Sequence, residues 1–183
     1  MKATAELFDE QGLAKLTTKA VAERAGVSDA SVYYHFKDKA GLLQAVIEDG
    51  LASLKEEDFA KAVAALSLDE MLRLYGETLE RYFDSIHPVI TAMQSDHELR
   101  DQFREYMSAN DMGPHRGIRL LSGLLEQRND VRRDIDFQAV ALLLQGAAFQ
   151  RSAQRRIMGK STGLPSMERT ARQLAALLAP PPG

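Results

Sequence analysis

The chain has 183 residues, a formal net charge of −3 and no cysteine, with 45% hydrophobic and 27% charged residues. That size and balance belong to an ordinary folded protein with ample material for a core, and exclude general disorder. The lack of cysteine excludes disulfides, thiolate metal sites and a cysteine nucleophile.

Glu6, Asp9 and Glu10 near the start are unlike a signal peptide. The most apolar run, Ala139 to Phe149, is short and broken by Gln145, so it does not read as a membrane span. A cytoplasmic protein with no membrane partner is expected. Charge is uneven: residues 1–49 hold six basic and eight acidic side chains, and residues 115–183 hold eleven and five. With no basic N-terminal domain, any DNA contact must come from a few locally placed cations.

Apolar residues recur at helical spacing throughout, and strand signals are nearly absent, which predicts an all-α fold of nine or ten helices. Ala5, Phe8 and Leu16 flank a stop at Gly12. Leu42, Leu43, Val46 and Ile47 open a helix expected to run past Leu54. Lys55-Glu56-Glu57-Asp58 reads as a solvated helix face or connector. Ser67-Leu68-Asp69-Glu70 reads as a capping box before the stripe Leu72, Tyr75, Leu79, Tyr82, Phe83 and Ile86. Ser95-Asp96-His97-Glu98 reads as a second box before Leu99, Phe103 and Tyr106. Pro88 and Pro114 both suit first-turn positions. The last two helices are expected near Asp136–Met158 and Pro165–Leu178, followed by a disordered tail at 180–183. One division is expected near residue 50, giving domains 1–49 and 50–179.

Residues 16–36 carry the functional pattern. Thr17 or Thr18 caps a short helix that buries Val21, Ala22 and Ala25. Gly26 sits where that helix must end in a left-handed residue. Val27 is expected to plug the corner, and Ser28 to cap the next helix. Val32 and Phe36 bury that second helix, leaving Asp29, Ser31, Tyr33 and His35 outward. This spacing is a helix-turn-helix, whose second helix enters a DNA major groove.

That segment, with Lys37-Asp38-Lys39 and Leu42-Leu43 after it, resembles the DNA-binding domain of the TetR family of bacterial transcriptional regulators. The Tyr33-Tyr34-His35-Phe36 ending, Lys39, Leu42, and the earlier Ala5, Leu7-Phe8 and Gly12 carry the likeness, over about residues 3–47. The resemblance implies phosphate and groove contacts at Thr18, Lys19, Ser28, Ser31, Tyr33, His35 and Lys39, and base reading from Asp29, Ala30 and Ser31. Asp29 is equally well explained as a charge at a helix N-terminus. Family members usually carry a basic arm before the first helix, and Met1-Lys2 leaves little of one, so either fewer phosphate contacts or a longer protein is expected.

The resemblance also implies a homodimer through the last two helices, assigned to Val140, Leu144, Ala147, Met167, Ala171, Leu174 and Leu178. It implies a small-molecule effector in the central helices. Tyr75, Leu79, Tyr82, Ile86, Met93, Phe103, Tyr106, Met107, His115 and Phe149 are the candidate lining. They suit an apolar molecule better than a phosphorylated one. The same residue types are also ordinary core material. His87, His97 and His115 form no metal-ligand spacing, and Gly159-Lys160-Ser161 lacks the rest of a phosphate loop. No cofactor is expected. The function expected is a ligand-responsive repressor binding a palindromic operator on double-stranded DNA. The alternatives are a regulator controlled by a protein partner, and a helical enzyme or metal binder that retains a helix-turn-helix.

Overall fold

The computed structural model describes residues 2–11, 15–51 and 56–181. Among them the chain forms ten helices and no strand: α1 (Lys2–Gln11), α2 (Thr18–Ala25), α3 (Asp29–Phe36), α4 (Lys39–Leu51), α5 (Glu56–Val63), α6 (Leu68–Ser95), α7 (His97–Ala109), α8 (Pro114–Glu126), α9 (Phe137–Met158) and α10 (Met167–Leu178). No helix among these residues is long and apolar enough to cross a membrane. Gly12, Leu54, Lys55 and the tail's last two residues lie outside the described residues, as do the side chains of Ala5, Phe8 and Glu56.

The chain divides into two compact units, Met1–Ala52 with Ser85–Asp111, and Ser53–Asp84 with Met112–Gly183. Residues 85–111, assigned from sequence to the C-terminal domain, instead group with the N-terminal residues. In the first unit α2 packs on α3, α1 on α2 and α4, and α4 on both α3 and α7. Leu7, Leu16, Val21, Ala22, Val32, Leu42, Leu43, Val46 and Ile47 are buried there.

The second unit is built round a single apolar cluster. Leu68, Met71, Leu72, Tyr75 and Leu79 of α6 meet Leu121 and Leu125 of α8, Val140, Ala141, Leu144 and Ala148 of α9, and Met167, Ala171 and Leu178 of α10. A polar clamp joins α6 to α9. Glu80 takes hydrogen bonds from Arg151 and Arg155, while Asp84 takes them from Arg155 and from Ser152 Oγ at 2.7 Å.

Several local expectations change. Pro88 lies inside α6 and not at a helix start. Buried Ile86, Val89 and Ala92 around it hold the helix together against a penalty of about 3 kcal/mol for an interior proline. The cap of α7 is Asp96, whose carboxylate accepts the Leu99 amide at 3.0 Å. Ser95 still belongs to α6, and its hydroxyl donates to the Thr91 and Ala92 carbonyls. At the start of α6 only the Glu70 half of the box forms, accepting the Ser67 amide at 2.9 Å. The Ser67 hydroxyl donates to the Glu70 and Asp69 carboxylates. Pro114 does stand in the first turn of α8.

Candidate nucleic-acid interface

Helix α2 begins at Thr17, whose Oγ1 accepts the Ala20 amide at 3.1 Å. It ends at Gly26, which is left-handed with φ +68°. The Gly26 amide reaches the Glu23 carbonyl and the Val27 amide the Ala22 carbonyl. This double closure is the Schellman arrangement, which favours glycine at its left-handed position. Val27 itself is 49% exposed, so it does not plug the corner. Backbone hydrogen bonds close the turn, and burial is left to Val21, Ala22 and Val32.

Ser28 then caps α3 by accepting the Ser31 amide at 3.2 Å. Of the eight residues in α3 only Val32 is fully buried, with Phe36 half-buried. Asp29, Ala30, Ser31, Tyr33, Tyr34 and His35 are all exposed. Such a short helix would not persist alone, so its stability comes from packing on α2 and α4. An ion pair steadies α2 against α1, where Arg24 meets Glu10 at 2.5 Å and Glu6 at 3.9 Å. The Arg24 guanidinium holds the Glu10 carboxyl below its usual range.

The exit from α3 is strained. Lys37 has φ +60° and ψ −56°, and the Asp38 amide donates across it to the Phe36 carbonyl at 2.6 Å. This is a γ-turn of the rare, positive-φ kind. It places Lys37 on the surface directly beyond the exposed helix. Asp38 starts α4 by accepting the Gly41 amide at 2.9 Å.

All the DNA residues expected from sequence fall on this one stretch. Thr18 is the first residue of α2, with Lys19 beside it. Ser28, Asp29, Ala30 and Ser31 form the start of α3, Tyr33 and His35 its later surface, and Lys39 the first residue of α4. Two further residues of this stretch are exposed. Tyr34 is 82% exposed, the more open of two adjacent tyrosines, and Lys37 occupies the strained turn. The sequence did carry a signal for Tyr34: with Val32 and Phe36 filling the buried face, the aromatic between them has no apolar neighbour to meet.

The expected effector lining is split between the units. Tyr75, Leu79, Tyr82, His115 and Phe149 belong to the second, while Ile86, Met93, Phe103, Tyr106 and Met107 belong to the first. Phe149 stacks edge-on with Phe83 at 5.2 Å. Nor does the Tyr75 hydroxyl wait for a ligand to take its proton. It donates to the Gly117 carbonyl at 2.7 Å, and burial pushes its pKa up. Burial likewise pushes Tyr82 up to about 12. Tyr106 is raised to about 12 by desolvation and by the Glu48 carboxylate that its hydroxyl meets.

Most of the residues expected at the dimer seam lie in the chain's own core. Val140, Leu144, Met167, Ala171 and Leu178 are buried within a single chain, as parts of its own core. Side chains with almost no accessible surface have none left to bury against a second copy. The exposed apolar residues of the same two helices are Leu142, Leu143, Phe149, Ile157, Met158 and Leu177. Gly159, in the rejected phosphate-loop fragment, is the left-handed end of α9.

A capped helix, a left-handed glycine turn and a second short helix with its outer face open define a helix-turn-helix protein. The model of the bacterial regulatory proteins of the tetR family matches residues 1–46, and this N-terminal segment is of that family's type. Tetracycline repressor protein class A from transposon 1721 of Escherichia coli is 42% identical over 52 residues, 28% of this chain and 24% of the repressor. The class D tetracycline repressor of Escherichia coli is 26% identical over 128 residues, 67% of this chain and 58% of the repressor. The chain thus spans less than two thirds of either repressor's length. Beyond the N-terminal segment the fold is shared as well. The transcriptional regulator FadR of Bacillus subtilis, solved in complex with stearoyl-CoA, superposes with a TM-score of 0.66 at 19% identity, covering 97% of this chain and 95% of FadR.

Proposed function

We propose that this chain is a non-enzymatic transcriptional repressor that binds double-stranded DNA through α3, works as a homodimer and is released by a small-molecule effector. The observation that carries the reading is the open face of α3, where polar and aromatic side chains stand outward beyond a turn fixed by Gly26. Lys19, Lys37 and Lys39 flank that face on neighbouring segments, which offsets the weak overall charge of the N-terminal residues. In this reading they meet phosphates, while Asp29, Ala30 and Ser31 face base edges.

A homodimer supplies the two reading heads that a palindrome needs, about 34–36 Å apart. Leu142 and Leu143 on α9 and Leu177 on α10 are more than half exposed in the single chain. A second copy laid on this face would cover them, which a solvated surface does not. The effector reading draws on the apolar, tyrosine-bearing core of the second unit. It also draws on the stearoyl-CoA bound by FadR, a ligand with a long apolar part.

The test is operator binding. Palindromes upstream of the protein's own gene are synthesised as labelled duplexes and titrated by fluorescence anisotropy at several salt concentrations. The expected result is binding at least about a thousandfold tighter than to a scrambled duplex, with a steep salt dependence. Equal affinity for all duplexes, or none, overturns the proposal.

A further inference from the structure

Helix α4 backs the exposed helix α3 and is gripped at two separate places. At its start, Gly41 lies against the carbonyl of Phe36, the last residue of α3. Near its far end, Glu48 accepts a hydrogen bond from the Tyr106 hydroxyl of α7. At about 1.5 Å per residue the two grips stand about 10 Å apart along the helix. Between them Leu42, Leu43, Val46 and Ile47 are buried. Apolar burial keeps α4 within the unit but is non-directional, so it resists a small slide or rotation only weakly. A hydrogen bond to a carboxylate is directional and charge-assisted, and it selects one register.

Tyr106 is well placed for that task. Helices α4 and α7 belong to the same compact unit and pack on one another. Leu99 and Phe103 bury one stripe of α7, and Tyr106 extends it by one further helical step. The Tyr106 carbonyl accepts the Asn110 amide at 3.1 Å and Asn110 Nδ2 at 2.8 Å, which closes the end of α7 around it. Desolvation and the Glu48 carboxylate raise the hydroxyl pKa to about 12, so it stays a donor at neutral pH. The residue lies well outside residues 1–46, which the family model matches.

We infer that Tyr106 is a positioning residue for DNA reading: its bond to Glu48 fixes the far end of α4, and the contact of Gly41 with Phe36 passes that register to α3. This rests on the repressor reading above and adds α7 to the parts that aim the reading helix. Base-edge contacts need set distances and tolerate little displacement. Phosphate contacts made by flexible lysine side chains adapt to it. A loosened α4 should therefore cost discrimination and leave general DNA affinity alone.

The test uses the full chain with a labelled operator duplex and a scrambled duplex of the same length, at fixed salt. Tyr106→Phe keeps the ring and removes only the donor. It should bind the operator about tenfold more weakly, the scale of one misread base pair, and the scrambled duplex as before. Its melting temperature should stay near the parent's, because the bond lies at an exposed edge. Glu48→Gln keeps an acceptor and should retain most of the operator preference. Glu48→Ala makes the same change of charge and should lose it. Tyr106→Phe combined with Glu48→Ala should cost no more than either alone. Unchanged operator affinity in Tyr106→Phe, or costs that add in the double variant, overturns the inference. So does a loss that falls equally on both duplexes, or one that comes with a large drop in melting temperature, since either marks a merely structural contact. A parent that discriminates while Tyr106→Phe discriminates equally well overturns this inference alone. A parent that binds both duplexes equally overturns the repressor reading, and this inference with it.

Discussion

Gly41 lies so close to the end of the exposed helix that a β-carbon on it would stand 1.9 Å from the carbonyl oxygen of Phe36. The obstacle is backbone, not the tip of a flexible side chain, so it cannot swing aside. Gly41→Ala must push α4 away from the end of α3. Overpacking of this kind costs about 1–3 kcal/mol. Urea denaturation should report a loss in that range, and operator affinity should fall with it because α3 loses its backing. An alanine variant as stable as the parent would show that the α3–α4 contact is looser than described.

Lys39 is the first residue of α4, at the positive end of that helix's dipole. A cation there gains nothing from the helix, so Lys39→Ala should leave the melting temperature unchanged. If the side chain meets a phosphate, the substitution weakens binding to all duplexes alike. It should also reduce the slope of log K against log salt by about 0.9, the contribution of one phosphate. Unchanged affinity and slope would remove Lys39 from the interface.

Lys37 poses a different test, because stability and function should move in opposite directions. Its positive φ suits glycine and strains a lysine by about 1–3 kcal/mol. Lys37→Gly should therefore raise the denaturation midpoint while lowering DNA affinity through the lost charge. A lower midpoint would contradict the strained turn.

The local grammar of the first unit was legible in the sequence because each feature needs only near neighbours. Thr17, Gly26 and Ser28 do what their residue types dictate at helix ends, and the apolar steps to Val32 and Phe36 mark the covered face. What was not legible depends on distant contacts. Pro88 looks like a helix start locally, yet the buried residues on both sides of it carry α6 through. The return of residues 85–111 to the first unit leaves no compositional mark. On α9 the apolar pattern continues nearly all round the helix, so the sequence could say that two sides are covered. It could not say which side faces the chain's own core, and Val140 and Leu144, expected at a dimer seam, lie in that core.

Acid should weaken the fold in a defined window. Hydrogen bonds from Arg128 and Arg132 hold the Asp130 and Asp134 carboxyls below their usual range, and Arg24 does the same for Glu10. A carboxyl depressed in the folded state contributes stability above its unfolded pKa, near 4, and loses it as pH falls through the lower folded value. The denaturation midpoint should hold from neutral pH to about 5, then decline below about 4. Asp130→Asn with Asp134→Asn removes two of the titrating groups, so the decline should be shallower than in the parent. An equally steep decline would place the acid sensitivity elsewhere.

Leu143 and Leu178 separate the two faces of the last helices. Leu143 is 69% exposed in the single chain, and Leu178 is 1% exposed within its core. An aspartate at 178 buries a charge without a partner, at a cost of several kcal/mol, and should unfold the second unit. An aspartate at 143 stays in water in the monomer and is buried only when a second copy covers it. Leu143→Asp should thus keep the helical circular dichroism and melting behaviour of a folded chain. Sedimentation at micromolar concentration should show it as a monomer beside a dimeric parent, and operator binding should be lost because one reading head reaches only one half-site. A Leu143→Asp protein that remains dimeric would move the interface off this face, and a parent already monomeric at that concentration would remove the dimer altogether.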